Sequence, residues 1–263
     1  MTFEKILDDS AIPVSALVAA SKKQSKAASD LLTALQRGEM RSIERLRQAV
    51  AATVEGSAEI VAGIVPVEFD TSEYLRADGE FLKDFLQAAE EAELSVFERD
   101  GTIFCFPVLL RTDPNDLQLK IDKKKFPAIR PSVLVKHLKA LQQKEAKSKP
   151  EAFIALLARA YPYVIGSANL PEGSDVKLSA IYALLTLMPE IKSSYSPLDF
   201  TRDLYFLDIS GIIQTKNLSM TLSASTATRE SKDNLRFVDR TGREKVYSSV
   251  RFVKLQGSED QSK

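Results

Sequence analysis

The chain carries a single cysteine, Cys105, and a single histidine, His137, in 263 residues. Those counts exclude a Cys/His zinc site, a two-histidine metal site and a histidine cluster. A lone thiol forms no internal disulfide and fits a reducing compartment, so the cytoplasm is the expected location. A Ser-His-Asp triad would have to recruit His137 from the segment SVLVKHLKALQQ, and no G-x-S-x-G turn is present to hold the serine. Neither G-x-x-x-x-G-K-[ST] nor G-x-G-x-x-G occurs, so both common phosphate cradles are missing. There is no apolar run of the roughly 18 residues a membrane span needs. The start, MTFEKILDDS, is acidic and lacks the apolar core of a secretory signal. An excess of one charge is lacking too. Lys plus Arg and Asp plus Glu both number 36, so no global field draws the chain to nucleic acid or to an anionic membrane. The expectation is a protein with no enzymatic activity, no cofactor and no membrane partner.

What is present is 44% hydrophobic content, enough for an ordinary core in one or two domains. Pro13 to Arg37 reads as a helix. Val14, Leu17, Val18, Ala28, Leu31, Leu32 and Leu35 fall on helical spacings, Pro13 suits a first turn, and Gly38 suits the position just past the end. Its polar middle, SKKQSK, predicts packing at the two ends; a dimerising coiled coil would need a more continuous heptad. A second helix spans about Ser42 to Val54, with Ile43, Leu46 and Val50 inward, and Gly56 interrupts it. EIVAGIVPVEF then reads as helix or strand, with Pro66 at its limit. Asp70 or Thr71 caps TSEYLRADGEFLKDFLQAAEEAE, with Gly79 as a point of division.

After that the hydrophobic period drops from helical to alternating. LSVFE, a turn at Asp100-Gly101, TIFCFPVLLRT, a turn at Asp113 to Asp116, and LQLKID predict a three-stranded antiparallel meander. Pro107 implies an edge or a bulge in the middle run. Charge then changes abruptly. Residues 71–122 hold 5 basic and 12 acidic side chains, net −7; residues 123–166 hold 10 and 2, net +8. Lys123, Lys124 and Lys125 open a basic loop, followed by a helix with Leu134, Leu138 and Leu141 on one face and Lys136, Lys139 and Lys147 opposite.

The remainder sets the predicted class. EAFIALLARAYPYVIG is a helix; Ser174 or Asp175 caps another with Leu178, Ile181, Leu185 and Met188, stopped by Pro189; Ser196-Pro197 starts a third, ending at Gly211. The strands IIQT, LSMTLSAS, NLRFVD and EKVYSSVRFVKL follow. Helices and then a hairpin give the outline of a winged helix. The prediction is therefore α+β: a helix-rich N-terminal half with a small antiparallel meander, and a winged-helix-like C-terminal unit. The divisions are 1–122, 123–149 as a basic loop and helix connector, 150–255, and a polar disordered tail at 256–263. Residues 41–122 could form a second unit of the C-terminal kind.

Candidate functional residues fall in three sets. The third helix of the C-terminal unit carries Arg202 against Asp199, Asp203 and Asp208, net −2, which opposes phosphate binding. It is apolar on two faces, with Phe200, Leu204 and Leu207 on one. Leu198, Arg202, Tyr205 and Phe206 are therefore read as a partner-docking surface. The second set is basic. Lys123, Lys124, Lys125, Arg130, Lys136 and Lys139 form one candidate phosphate patch. Arg236, Arg240, Arg243 and Lys245, with Lys232 and Arg251, form another near the strand turns. A solvated basic face paired with the acidic 71–122 segment explains the same residues without DNA. The third set, Asp100, Asp113, Asp116, Gln118 and Lys120, has the residue types of a metal-dependent nuclease, although tight turns alone require aspartates there.

The leading expectation is a non-catalytic adaptor in a DNA-associated assembly, partnered by a protein such as an ATPase or nuclease subunit, with self-association also compatible. Its outline is similar to that of winged-helix accessory subunits of chromosome-organising ATPases. The alternatives are a transcriptional regulator that reads DNA through its wing and the nuclease.

Overall fold

The computed structural model describes residues 2–223 and 234–255, and the expected tail at 256–263 lies outside the described residues. The chain is mixed helix and sheet, as the α+β class requires, and it forms two compact units, 1–71 and 72–263. The division therefore falls at 71/72, not at the expected 122/123. Residues 72–122 stay with the C-terminal part of the chain because Phe106 belongs to the same hydrophobic cluster as Phe200 and Phe237.

The first unit is an antiparallel hairpin of α1 (Phe3–Arg37) and α2 (Met40–Ala62). The chain reverses at Gly38, whose φ of 70° lies in the left-handed region that glycine adopts without penalty. Two corrections arise here. Pro13 lies inside α1, which begins ten residues earlier, and a helix of this length tolerates one missing N–H. Gly56 does not interrupt α2, which runs on to Ala62.

The helices also pack along their whole length rather than at two ends. From residue 10 onward the less exposed positions of α1 are 10, 13, 17, 20, 24, 27, 31 and 34; those of the second arm include 43, 46, 50, 53, 57, 60 and 64, with 42 and 56 beside them. The steps alternate between three and four, which is a heptad seam. The polar middle takes part, since Ser57 Oγ donates to Gln24 Oε1 at 3.5 Å. Ser10, Ala20, Ala27 and Ala34 keep the seam narrow, so little surface disappears. Phe3 and Ala34 are buried in α1, and no residue of α2 is. At the base, the Phe3 and Phe69 rings lie 4.8 Å apart.

The second unit opens with α3 (Thr71–Tyr74) and α4 (Phe81–Glu91), divided at Gly79 as expected. A Cβ on Gly79 would fall 2.4 Å from the carbonyl oxygens of Glu73 and Tyr74, so only glycine fits. The meander follows with five strands instead of three: β1 (Phe97–Arg99), β2 (Thr102–Cys105), β3 (Val108–Asp113), β4 (Gln118–Ile121) and β5 (Lys124–Phe126), antiparallel in chain order. TIFCFPVLLRT is two strands because proline has no N–H to donate and Phe106-Pro107 forms the reversal. The basic "loop" supplies the fifth strand through Lys124 and Lys125.

Then come α5 (Pro131–Gln143), α6 (Pro150–Ser167), β6 (Val176–Lys177), α7 (Leu178–Leu185), α8 (Pro189–Ser194) and α9 (Pro197–Ser210). Ser174 and Asp175 do not cap a helix as expected; the chain enters β6 first. The helix expected to run to Pro189 ends instead at Leu185, leaving Met188 outside it, and Pro189 starts α8. The closing strands are β7 (Gln214–Thr215), β8 (Leu218–Ser223), β9 (Leu235–Val238), β10 (Glu244–Tyr247) and β11 (Ser249–Lys254). A sheet of order β6-β11-β8-β7 pairs Val250 with both Val176 and Leu222. EKVYSSVRFVKL, expected as one strand, splits between β10 and β11, because β10 pairs only with β9 in a separate hairpin. The core gathers Phe153, Leu157, Ile181, Phe200, Leu204 and Phe252 between α6, α7, α9 and this sheet.

Candidate functional site

Helix α9 is built by local signals that the sequence displays plainly. Ser196 Oγ accepts from the Asp199 amide at 3.2 Å, and the Asp199 carboxylate accepts from the Ser196 amide at 3.0 Å, a reciprocal capping box. Pro197 fills the first helical position, and Gly211 ends the helix in the left-handed region at φ 71°.

Its side chains are enclosed nearly all round. On one face the Phe200 ring lies 5.6 Å from Phe153 and 5.4 Å from Tyr182. On the other, Tyr205 stacks on Phe237 of β9 at 4.7 Å, and Phe106, at the β2–β3 reversal, meets both rings at 6.1 and 5.5 Å. Val238 donates its amide to the Pro107 carbonyl at 3.0 Å, fixing β9 against that reversal.

The charges of α9 are turned into the chain as well, although Arg202 Nε and Nη1 are buried without a hydrogen-bond partner among the described residues. Arg202, 1% exposed, donates from Nη2 to the Leu141 carbonyl at 2.8 Å. Burial holds its guanidinium below the usual range, against the pull of Asp199 and Asp203. Asp203 accepts from the Lys147 amide (2.7 Å) and the Ser148 amide (3.3 Å) on one oxygen and from Tyr195 Oη (2.7 Å) on the other. Burial raises its carboxyl above the ordinary value despite those bonds. Asp208 accepts from Lys245 Nζ at 2.6 Å and Tyr247 Oη at 2.9 Å. The acidity that argued against groove reading is thus a set of structural acceptors.

This corrects the expected docking surface. Arg202 and Tyr205 are buried and Leu198 and Phe206 are half-buried. The second apolar face of α9 meets the chain's own β9, Phe106 reversal and 141–148 segment. The β9–β10 hairpin, interposed between β8 and β11, lands on that face.

The basic residues differ in their exposure and in the partners they meet. Lys139 donates to the Ala92 carbonyl at 2.8 Å, neutralising the C-terminal end of α4. Lys125 pairs with Asp116 at 3.0 Å, and Lys245 is held by Asp208 and lies 5.6 Å from the Tyr205 ring. Arg236, half-buried, forms an ion pair with Glu244 at 3.4 Å. Arg240 lies over the Phe106 ring at 5.3 Å. Lys123, Lys124 and Lys136 are exposed, as are Arg243 and Arg251, and Arg130 is half-buried at the start of α5. A contact between the Phe126 and His137 rings, 4.9 Å apart, sets β5 beside α5, the elements that carry Lys124, Lys125 and Lys136. Burial and the Lys144 charge hold the His137 pKa below its ordinary value. Lys232 lies outside the described residues.

Of the nuclease set, Asp113, Asp116, Gln118 and Lys120 come together across the β3–β4 turn, where they bond to one another. Asp100 occupies a turn at φ 51°. Lys120 is bonded to Asp113, and Gln118 Nε2 donates to Asp116 at 2.9 Å. Among the described residues, no three His, Cys, Asp or Glu side chains gather as a metal would require. Cys105 is buried, and burial pushes its thiol up to about 12, a value unsuited to nucleophilic work near neutrality. No helix of the described residues is long and apolar enough to cross a membrane.

No family model, curated protein or solved structure matches the chain.

Proposed function

We propose that residues 150–255 form a winged-helix unit serving as a structural module, and that the chain is a non-catalytic adaptor or accessory subunit of a larger DNA-associated assembly. The order α6, β6, α7, α9, β8, β11, with β11 between β6 and β8, supports the winged-helix reading. The observation that carries the functional half is the enclosure of α9. A helix that enters a major groove must present a row of free side chains and cations, whereas α9 exposes only Pro197 and its last turn, Asp208 to Ser210, and no cation. Its burial against the 72–149 segment makes the unit a scaffold.

Contact with nucleic acid is assigned to Lys123, Lys124 and Lys136 near the Phe126–His137 contact, with Arg130 at its edge and Lys125 joining them only on leaving Asp116. Such contacts neutralise phosphates and carry no sequence information. The protein partner is a subunit that does chemistry on or with DNA, such as an ATPase or a nuclease.

The test is a titration of unrelated DNA duplexes with the full chain at several salt concentrations. Four phosphate contacts predict a slope of roughly −3 to −4 in log K against log salt, equal for every sequence. Reversing charge at Lys123, Lys124 and Lys136 should abolish it. Binding that ignores salt, or survives the reversal, removes the phosphate contacts. A preference of about a thousandfold for one sequence supports the regulator instead. Mg²⁺-dependent cleavage lost in Lys120→Ala overturns the non-catalytic reading.

A further inference from the structure

We infer that the α1–α2 hairpin pairs head to tail with the hairpin of a second copy of this chain, forming a four-helix bundle. The inference does not depend on the phosphate contacts proposed above.

The first observation is a second seam. One seam of α1 is occupied by α2. Immediately beside it runs another with the same alternating steps of four and three, from Leu7 through Val14, Val18 and Leu32 to Leu35, with small residues between. Leu7 is half-buried, but Val18 is 53% exposed and Leu32 57%, and Val14 and Leu35 are exposed too, so from Val14 onward α2 does not cover this row. A parallel row on α2 takes in Val54 and Val61, both exposed. In an antiparallel pair, the positions that follow each inner seam on its C-terminal side share one side of the hairpin. The two rows therefore make one apolar face, broken near the tip by the Glu44–Arg47 ion pair.

The period of the row specifies the occupant. A seam that repeats every seven residues is filled by helices running nearly along it, and Leu7 to Leu35 spans about 42 Å at 1.5 Å per residue. The face is two helices wide. At about 20 Å of width it offers roughly 800 Å² to a partner, the area each side contributes to a stable protein–protein interface. The hairpin has the length, period and width its own face requires.

Charge sets the direction. Residues 2–20 with 61–71 carry Lys5 against Glu4, Asp8, Asp9, Glu68 and Asp70, net −4, and form the base. Residues 21–60 carry seven cations and five anions, net +2, and form the tip side. Two hairpins side by side in the same direction would place one acidic base against the other. Head-to-tail pairing sets each base against a basic tip and satisfies the twofold symmetry of a closed dimer.

Sedimentation velocity of the full chain across a dilution series tests the pairing. The expected mass is twice 29.1 kDa. Val18→Glu with Leu32→Glu should give a monomer with unchanged helical circular dichroism, whereas Ala16→Glu with Thr33→Glu, exposed positions on the other side of the inner seam of α1, should leave the dimer intact. If the glutamates cost helix, Val18→Ala with Leu32→Ala decides instead, through at least a tenfold rise in the dimer dissociation constant. A monomeric native chain overturns the proposal and leaves the face to a helical hairpin of another protein; so does a dimer indifferent to these changes. A spin label at Glu39→Cys reads the direction, because buried Cys105 does not label. Tips roughly 40 Å apart fit head-to-tail pairing, and adjacent tips overturn it.

Discussion

Helix α2 runs for 23 residues without one buried side chain, whereas α9 runs for 14 and buries eight, three of them charged. Both are regular helices, but their stability has different sources. Hairpin helices are held by repetition: a narrow seam of small and half-buried residues, each contributing little, extended over many turns. α9 is held by enclosure, with aromatic rings on two sides and its carboxylates used as acceptors for distant backbone. A repeating seam leaves the rest of a helix available for a partner. An enclosed helix leaves almost nothing, which is why interaction surfaces are to be sought on the first unit and on the basic side of the second.

The largest effect that sharpens this contrast is a cavity. Phe200→Ala should destabilise the second unit by about 3–5 kcal/mol, because neighbouring rings cannot collapse into the space. Leu46→Ala, in the half-exposed seam of α2, should cost about 1 kcal/mol. Urea denaturation of both variants, followed by circular dichroism, compares them directly. Equal losses would mean the hairpin has a core that its exposure does not reveal.

A smaller effect tests the buried acceptors. Asp203→Asn keeps the size of the side chain but cannot accept at both ends, so one of its three donors loses its partner, at about 1–3 kcal/mol. The pH dependence has a definite sign. Burial raises the folded pKa of Asp203, so the folded state binds its proton more tightly than the unfolded state does. Its contribution is then fully present below the unfolded pKa and is lost as pH rises through the folded one. Asp203→Asn should flatten that part of the stability profile. A profile unchanged by the substitution would show that Asp203 titrates as an exposed carboxyl does.

The legibility of these features in the sequence depends on the range of the forces behind them. Local chemistry is readable: Ser196-Pro197 and Gly211 mark the ends of α9, and Gly79 marks the α3–α4 break. The alternation of TIFCFPVLLRT announces strands, but the reversal at Pro107 depends on a neighbour the sequence does not name. Long-range enclosure is not readable in this way. Tyr205 and Phe206 look like a free apolar face until β9–β10, inserted from beyond residue 233, lands on it. The heptad of α1 is present throughout in Ser10, Pro13, Leu17, Ala20, Gln24, Ala27, Leu31 and Ala34. Large apolar residues alone do not trace it, because small and polar side chains occupy much of the inner seam while leucines and valines lie on the outer one. Hydrophobicity marks the face left for a partner more strongly than the face already used.

The smallest effect asks whether the two units, so different inside, behave alike at their surfaces. Glu44 in α2 is bonded to Arg47, and Asp113 in β3 is bonded to Lys120. Hydrogen bonds from these cations hold both carboxyls below the ordinary range. A lowered folded pKa means that the stabilisation is present above the unfolded value and lost as pH falls through the folded one. Glu44 and Arg47 are open to solvent, and Lys120 is half-open although the Asp113 side chain is only 12% exposed, so solvent and salt screen both pairs and neither should contribute much to stability at neutral pH. Arg47→Ala and Lys120→Ala should therefore leave the urea midpoint nearly unchanged, while each partner carboxyl titrates closer to its ordinary value by NMR. The comparison breaks if Lys120→Ala shifts the midpoint and Arg47→Ala does not. Lys120 would then be doing more than compensating Asp113, and the meander around residues 113–120 would warrant the search for chemistry that the surface pairing argues against.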